Sequence, residues 1–192
     1  DSAYFCAANR NKRSIAVNMA APEGAALLRR LAERADVVLE NFRVGGLAKY
    51  GLDYASLAAI KPDLIYCSIT GFGQYGPYAH KGGYDFLIQG MSGLMSVTGL
   101  PNDAPGGGPM KVGVPTVDLS TGLYAAVSIL AALRHRDRTG EGQHIDCALL
   151  DTQVALMTNQ ASNWLNGGMA PQRMGNAHPN LLPYQDFRCA DG

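Results

Sequence analysis

Apolar and polar positions along this chain switch between a helical and an extended period. From Pro22 to Ala35 (PEGAALLRRLAERA), Leu27, Leu28 and Leu31 recur at helical spacing, and Pro22 suits a first helical turn. Val37–Leu39 predicts a short buried strand and Tyr54–Ile60 a short helix ended near Pro62. Leu64–Ile69 (LIYCSI), rich in β-branched and aromatic residues, predicts the next strand, and the turn Gly71-Phe72-Gly73 follows it. Asp85–Val97 reads as a helix that tolerates two glycines, Gly99–Pro109 as a loop and Val112–Val117 as extended chain. Leu119–Leu133 predicts a strongly apolar helix, Arg134–Gly142 a polar turn, Gln143–Ile145 a last strand and Asp146–Trp164 a long helix.

Strands alternating with helices argue for an α/β fold around a mainly parallel sheet. Such sheets bind ligands at the carboxyl ends of their strands, which directs attention to the loops after Leu39, Ile69 and Val117. The expected organisation is a single domain over residues 1–165. Gly, Pro and Asn become frequent from Asn166, which reads as a linker over 166–192.

Composition narrows the classes without choosing among them. The chain has 192 residues, a formal net charge of zero and 47% hydrophobic residues, enough for a well-buried core. Zero net charge gives no global attraction to nucleic acid or an acidic membrane. No apolar run in the sequence approaches a bilayer span, and the first residues lack the pattern of a signal peptide. With no initiator Met and an abrupt close at Cys189–Gly192, the chain is expected to be a piece cut at both ends. Four cysteines (Cys6, Cys67, Cys147, Cys189) lie far apart with no C-x-x-C pair, so no metal site is expected, and free thiols in a cytoplasmic protein are.

Asp118 is the first residue to weigh for chemistry. It stands between extended chain and an apolar helix (VPTVDLSTGLYAAVSILAAL). Asp favours the N-cap position, and an Asp at a strand-to-helix junction is also where a nucleophilic carboxylate would be exposed, with backbone N–H groups nearby for an oxyanion. The pattern does not separate these readings. Arg10, Lys12, Arg13, Arg43 and Lys49 offer cations to a phosphate-bearing ligand, most pointedly in Asn41-Phe42-Arg43 directly after a strand. Walker A, G-x-G-x-x-G, H-E-x-x-H and G-x-S-x-G patterns are missing. Of the histidines, His144 reads as structural, His135 as solvated in a charged turn, and His178 as a candidate site residue.

Several segments, in order, resemble the class III CoA transferases (the CaiB/BaiF type). They are Asn11–Asn18 (NKRSIAVN), Ala35–Arg43 (ADVVLENFR), Pro62–Gly73 (PDLIYCSITGFG), Val114–Gly122 (VPTVDLSTG) and Thr139–Gln143 (TGEGQ). That family includes formyl-CoA and carnitine CoA transferases and the α-methylacyl-CoA racemases. The resemblance implies a partial Rossmann-like large domain, the rest of the parent supplying a small domain and an interlocked homodimer. It places the nucleophile on Asp118, CoA contacts on Val17, Asn18, Met19, Asn41, Phe42 and Arg43, and a phosphate contact on Lys49, where relatives often have Arg. Tyr84 and Asp85 fall in the segment lining the reaction site. Ala20 stands where one transferase has Lys.

The chemistry implied is CoA transfer between an acyl-CoA, read from the likeness of Leu165–Phe187 as succinyl-CoA, and a carboxylic acid acceptor. It would pass through an aspartyl anhydride and an aspartyl-CoA thioester, with backbone N–H donors on each oxyanion. CoA is then a substrate rather than a tightly bound cofactor. The alternatives are a racemase or epimerase on the same fold and a CoA-ester-binding protein without turnover. Racemases of the family resemble G-H-D-x-N-Y where this chain has Gly83-Tyr84-Asp85-Phe86-Leu87-Ile88, and Tyr84 in place of His favours the transferase.

Overall fold

In the computed structural model, which describes residues 2–191, a parallel sheet of order β1-β2-β3 organises the chain. Strand β1 is Val37–Glu40, β2 Ile65–Thr70 and β3 Gln143–Ala148. Val37 registers with Ile65, and Ile65 with Gln143. The α/β class expected from strand-helix alternation is therefore the one observed. Central β2 is covered on both faces, so Ile65, Tyr66, Cys67 and Ser68 are all buried. That is why LIYCSI carries no polar alternation.

The two faces are packed differently. Tyr66 lies with Leu47, Leu52, Leu57 and Leu64 on one face, and its hydroxyl donates to the Leu52 carbonyl at 2.9 Å. On the other, Cys67 and Cys147 meet Ala125 and Ile129 of the long helix α6, Thr116–Thr139. Among the described residues the remaining α-helices are α1 (Ala3–Ala8), α2 (Pro22–Ala32), α3 (Tyr54–Ile60), α4 (Asp85–Met91), α5 (Leu94–Val97), α7 (Leu149–Leu156) and α8 (Thr158–Gly167), with a 3-10 turn over Ala48–Tyr50.

Helix α6 presses its small residues on the sheet and leaves its large ones outside. Val117, Thr121, Ala125 and Ala132 are buried, whereas Leu119, Leu123, Val127 and Leu130 are exposed. Small side chains at steps of four let the helix axis approach the strands closely. With a mean hydropathy of 1.5 over its most apolar stretch, α6 is long and apolar enough to cross a membrane. The expectation that no run approaches a span is corrected here, because Ser, Thr and Gly interrupt the apolar letters without interrupting the helix. In this fold α6 lies along β2 and β3.

Element boundaries depart from the sequence pattern where backbone geometry overrides periodicity. The helix expected over Asp85–Val97 breaks at Gly93, whose φ is 89°. The one expected over Asp146–Trp164 starts later, because Asp146, Cys147 and Ala148 extend β3 against Ser68, Ile69 and Thr70. It breaks again at Thr158, where φ is 37°. Helix α6 begins at Thr116 and continues through the expected polar turn to Thr139, closed by left-handed Gly140 with φ 78°.

One close approach sets the wall of the region described next. A Cβ placed on Gly71 would stand 2.5 Å from the Gly83 Cα, and one on Gly83 would stand 2.5 Å from the Gly71 Cα. Gly71→Ala and Gly83→Ala are each expected to destabilise the protein by about 1–3 kcal/mol through forced backbone movement. Urea unfolding of each variant checks this, with Gly82→Ala, which meets nothing within 4 Å, as the control expected to lose less.

Candidate functional site

The loops leaving β1 and β2 meet at the carboxyl edge of the sheet. Between them lies a cleft of about 160 Å³ whose wall includes Asn41, Phe42, Arg43, Gly71, Lys81 and Tyr84. The Asn41 side-chain amide donates to the Ile69 carbonyl at 2.5 Å, tying one loop to the next strand. Glu40 accepts from the Phe42 N–H at 2.7 Å and folds the first residues of its own loop. After β2, the Thr70 hydroxyl accepts from Gly73 N–H at 2.9 Å and Asp146 accepts from Gln74 N–H at 2.8 Å. Arg43 and Lys81 bring two cations to this wall, the second sitting 4.0 Å from the Tyr78 ring centroid.

Behind Tyr84 a chain of hydrogen bonds leads to Val117, the residue before Asp118. Asp85 is the first residue of α4, and its Oδ1 accepts from the Val117 N–H at 2.8 Å. Its Oδ2 accepts from the Gln89 side-chain amide at 2.7 Å. Gln89, fully buried, accepts in turn from the Val112 N–H at 2.8 Å. The start of α6 is thus capped from another helix. Asp118 is the third residue of α6, Pro115 holds the N-cap position, and the N-cap reading of Asp118 is corrected.

Freed from capping, the Asp118 side chain is exposed beside Asp85. Desolvation first, and the neighbouring Asp85 charge second, push its carboxyl above the ordinary carboxylate range. The amides expected to serve an oxyanion are in part committed elsewhere. Thr116 N–H donates to the Val114 carbonyl at 2.8 Å and Val117 N–H to Asp85.

The other expected contact residues lie along a different stretch of surface. Met19 and Lys49 line a cavity of about 390 Å³ together with Arg29 and Tyr50. Asn18 accepts from the Ala20 N–H at 3.1 Å in the turn that opens α2, and Val17 faces Gly24 there. Met19 and Phe42 share an apolar groove with Leu28 and Leu39, which adjoins both cavities. So Asn41, Phe42, Arg43 and Tyr84 share the cleft wall, Asp85 follows Tyr84 and lies near Asp118, and neither of these carboxylates nor Val17, Asn18, Met19 and Lys49 is part of that wall. Arg10, Lys12 and Arg13 are exposed in the segment before α2.

His178 is not part of the cleft wall, and its Nδ1 accepts from the Asn180 and Leu181 N–H groups at 3.0 and 3.1 Å and organises a turn. His135 stands on α6, not in a turn, 3.5 Å from Glu141. His144 meets the Ser68 hydroxyl at 3.0 Å and stacks on Tyr54, as a structural residue of β3. Among the described residues no group of three or more His, Cys, Asp or Glu side chains could hold a metal ion. Gln89 is the residue that sequence reasoning missed. Its signal was a lone amide among apolar neighbours, four residues after Asp85 on one helical face.

Comparison with known proteins gives one consistent result. The family described as CoA-transferase family III matches residues 1–192. A succinate–glutarate CoA-transferase from Agrobacterium fabrum is 58% identical over all of this chain and 47% of its own length. The human succinyl-CoA:glutarate CoA-transferase is 45% identical, likewise over all of this chain and 43% of its own. The crystal structure of a CaiB/BaiF family protein from Brucella suis superimposes with a TM-score of 0.90 at 56% identity, covering 100% of this chain and 50% of that one. The chain spans about half the length of the curated relatives it matches.

The raised Asp118 carboxyl carries a stability signature. Above the ordinary value of 3.8 the unfolded chain releases this proton before the folded one does, so the group's contribution to stability falls as pH rises. Once pH exceeds the raised value, ionised Asp118 is a constant penalty. Asp118→Asn is therefore expected to raise the urea midpoint at pH 7, with the gain shrinking toward zero by about pH 3. A lower midpoint at pH 7 would contradict the electrostatic description of the site.

Proposed function

Because this chain belongs to CoA-transferase family III, we propose that its parent protein transfers CoA from succinyl-CoA to a carboxylic acid, with Asp118 as the covalent carrier. The observation that supports the reading is the Asp118 carboxyl, exposed in the first turn of α6 with raised basicity near Asp85, the residue that follows Tyr84 of the cleft wall. The relatives named for succinyl-CoA and glutarate support a dicarboxylic donor and acceptor.

In the first step an Asp118 oxygen attacks the thioester carbonyl, and the C–S bond breaks to give an anhydride and CoA thiolate. The thiolate then attacks the aspartyl carbonyl and expels the donor acid as its carboxylate, leaving an aspartyl-CoA thioester. An acceptor carboxylate attacks that thioester, forming a second anhydride and releasing the thiolate again. Attack of the thiolate on the acceptor's carbonyl yields the new acyl-CoA and restores Asp118. No net proton is required, so the site needs no general acid or base. It needs a basic carboxylate and exclusion of water from the anhydrides.

This chain's residues fit that demand. A carboxyl whose ionised form is disfavoured by desolvation and by a neighbouring charge is a stronger nucleophile than one in water, and the raised basicity of Asp118 suits that role. Arg43 and Lys81 are suited to the phosphates of CoA, and the apolar groove between Met19 and Phe42 to its uncharged arm. Tyr84 on the cleft wall supplies no imidazole for proton removal at an α-carbon, which weighs against the racemase reading.

The test uses the full-length protein, succinyl-CoA and borohydride or hydroxylamine trapping, with the modified peptide mapped by mass spectrometry. Modification at Asp118 is expected, and Asp118→Asn is expected to lower transfer by about three orders of magnitude or more. CoA-ester binding with transfer intact in Asp118→Asn would remove Asp118 as the carrier.

A further inference from the structure

We propose that Gln89 is a positioning residue for the acyl-carrying carboxylate, acting through Asp85 and the loop before α6. The inference rests on the reading of Asp118 given above. Gln89 has no exposed surface, yet it is a polar residue in a helix whose neighbours Ile88, Val117 and Leu149 form an apolar cluster. A buried amide is kept only where its donor and acceptor are both used, since an unmade bond there costs about 1–3 kcal/mol. Both are used here, and both lead to the start of α6.

The two bonds constrain different partners. The Gln89 amide nitrogen donates to Asp85 Oδ2 at 2.7 Å, leaving Oδ1 directed at the Val117 N–H at 2.8 Å. The Gln89 carbonyl accepts from Val112 N–H at 2.8 Å, four residues before the helix begins. One side chain therefore fixes the carboxylate that caps α6 and the segment that leads into it. Asp118 follows Val117 directly, so its place relative to the cleft is set by these bonds. None of them reaches Asp118 itself, which distinguishes positioning from a direct catalytic role.

Replacing Gln89 by Met removes both bonds at nearly constant volume. Replacing it by Glu makes them depend on a proton. In Gln89→Glu the protonated side chain donates to Asp85 and accepts from Val112, whereas the ionised one cannot donate and repels Asp85. The elements packed against α4 bring Asp118 at the near end of α6 and Asp151 on α7, with Lys111 beside Val112 and no titratable group on α5. All three are present in every variant, so the difference between Gln89→Glu and Gln89→Met reports the new proton alone.

The experiment measures kcat, KM and single-turnover trapping at Asp118 across pH in full-length wild type, Gln89→Met and Gln89→Glu. The expected result is a loss of about tenfold or more in kcat and in trapping rate for Gln89→Met, with KM for succinyl-CoA within about twofold. Gln89→Glu is expected to exceed Gln89→Met in activity, by the widest margin at the acid end. If Gln89→Met does not fold, a Gln89→Glu to wild-type activity ratio that rises as pH falls carries the same conclusion. Equal losses in both variants at every pH, or a wild-type rate in Gln89→Met, would overturn the inference while leaving the acyl-carrier reading intact. A wild-type enzyme that turns over without modification at Asp118 would overturn that reading, and this inference with it.

Discussion

The carboxylate of Asp85 is held from two sides, and the geometry of the whole region follows from that double commitment. One oxygen closes the first turn of α6 and the other is gripped by the buried amide of Gln89. A helix start needs an acceptor for its leading N–H groups, and most helices find one in their own N-cap side chain. Pro115 offers none, so α6 borrows its acceptor from α4. The consequence is that Asp118, the carboxylate best placed to cap its own helix by composition, is released from that task. A free carboxylate beside a capped one is electrostatically unfavourable, and the raised basicity of Asp118 is in part the record of that proximity.

The parallel sheet supplies the frame on which this arrangement hangs. Parallel strands need long crossovers, and their carboxyl ends deliver successive loops to one edge. Here β1 delivers Asn41, Phe42 and Arg43, and β2 delivers Gly71, against which Gly83 is pressed backbone to backbone. That contact places Tyr84 on the cleft wall and fixes where α4 begins. The register of β3 beside β2 then sets the line along which α6 lies, with Thr121 and Ala125 allowing the close approach. Cleft, capping residue and exposed carboxylate are thus three results of one strand order.

Much of this was legible in the residues alone. Strand β2 was readable because it is apolar on both faces, and α3 because the pattern over Tyr54–Ile60 ends near Pro62. Ordered motifs from Asn11 to Gln143 point to the family that the chain belongs to. What could not be read depends on contacts distant in sequence. The capping of α6 by Asp85 spans 32 residues, and the helical state of Thr116 and Val117 follows from it. Likewise, Asp146 to Ala148 look helical by composition and become strand because Ile69 and Thr70 are there to pair with them. The turn that the His178 ring organises over residues 178–181 was not legible either.

The central claim is that Asp118 forms a covalent bond to each acyl group in turn, and oxygen exchange tests it most directly. In the scheme above, the bridging oxygen of the second anhydride comes from the acceptor acid and remains on Asp118 when the new acyl-CoA leaves. Turnover of the full-length protein with an acceptor carboxylate labelled with heavy oxygen should therefore place that label in the peptide containing Asp118. Continued turnover should pass it on to the released donor acid. A protein that transfers CoA from the labelled mixture while its Asp118 peptide stays unlabelled would contradict the account.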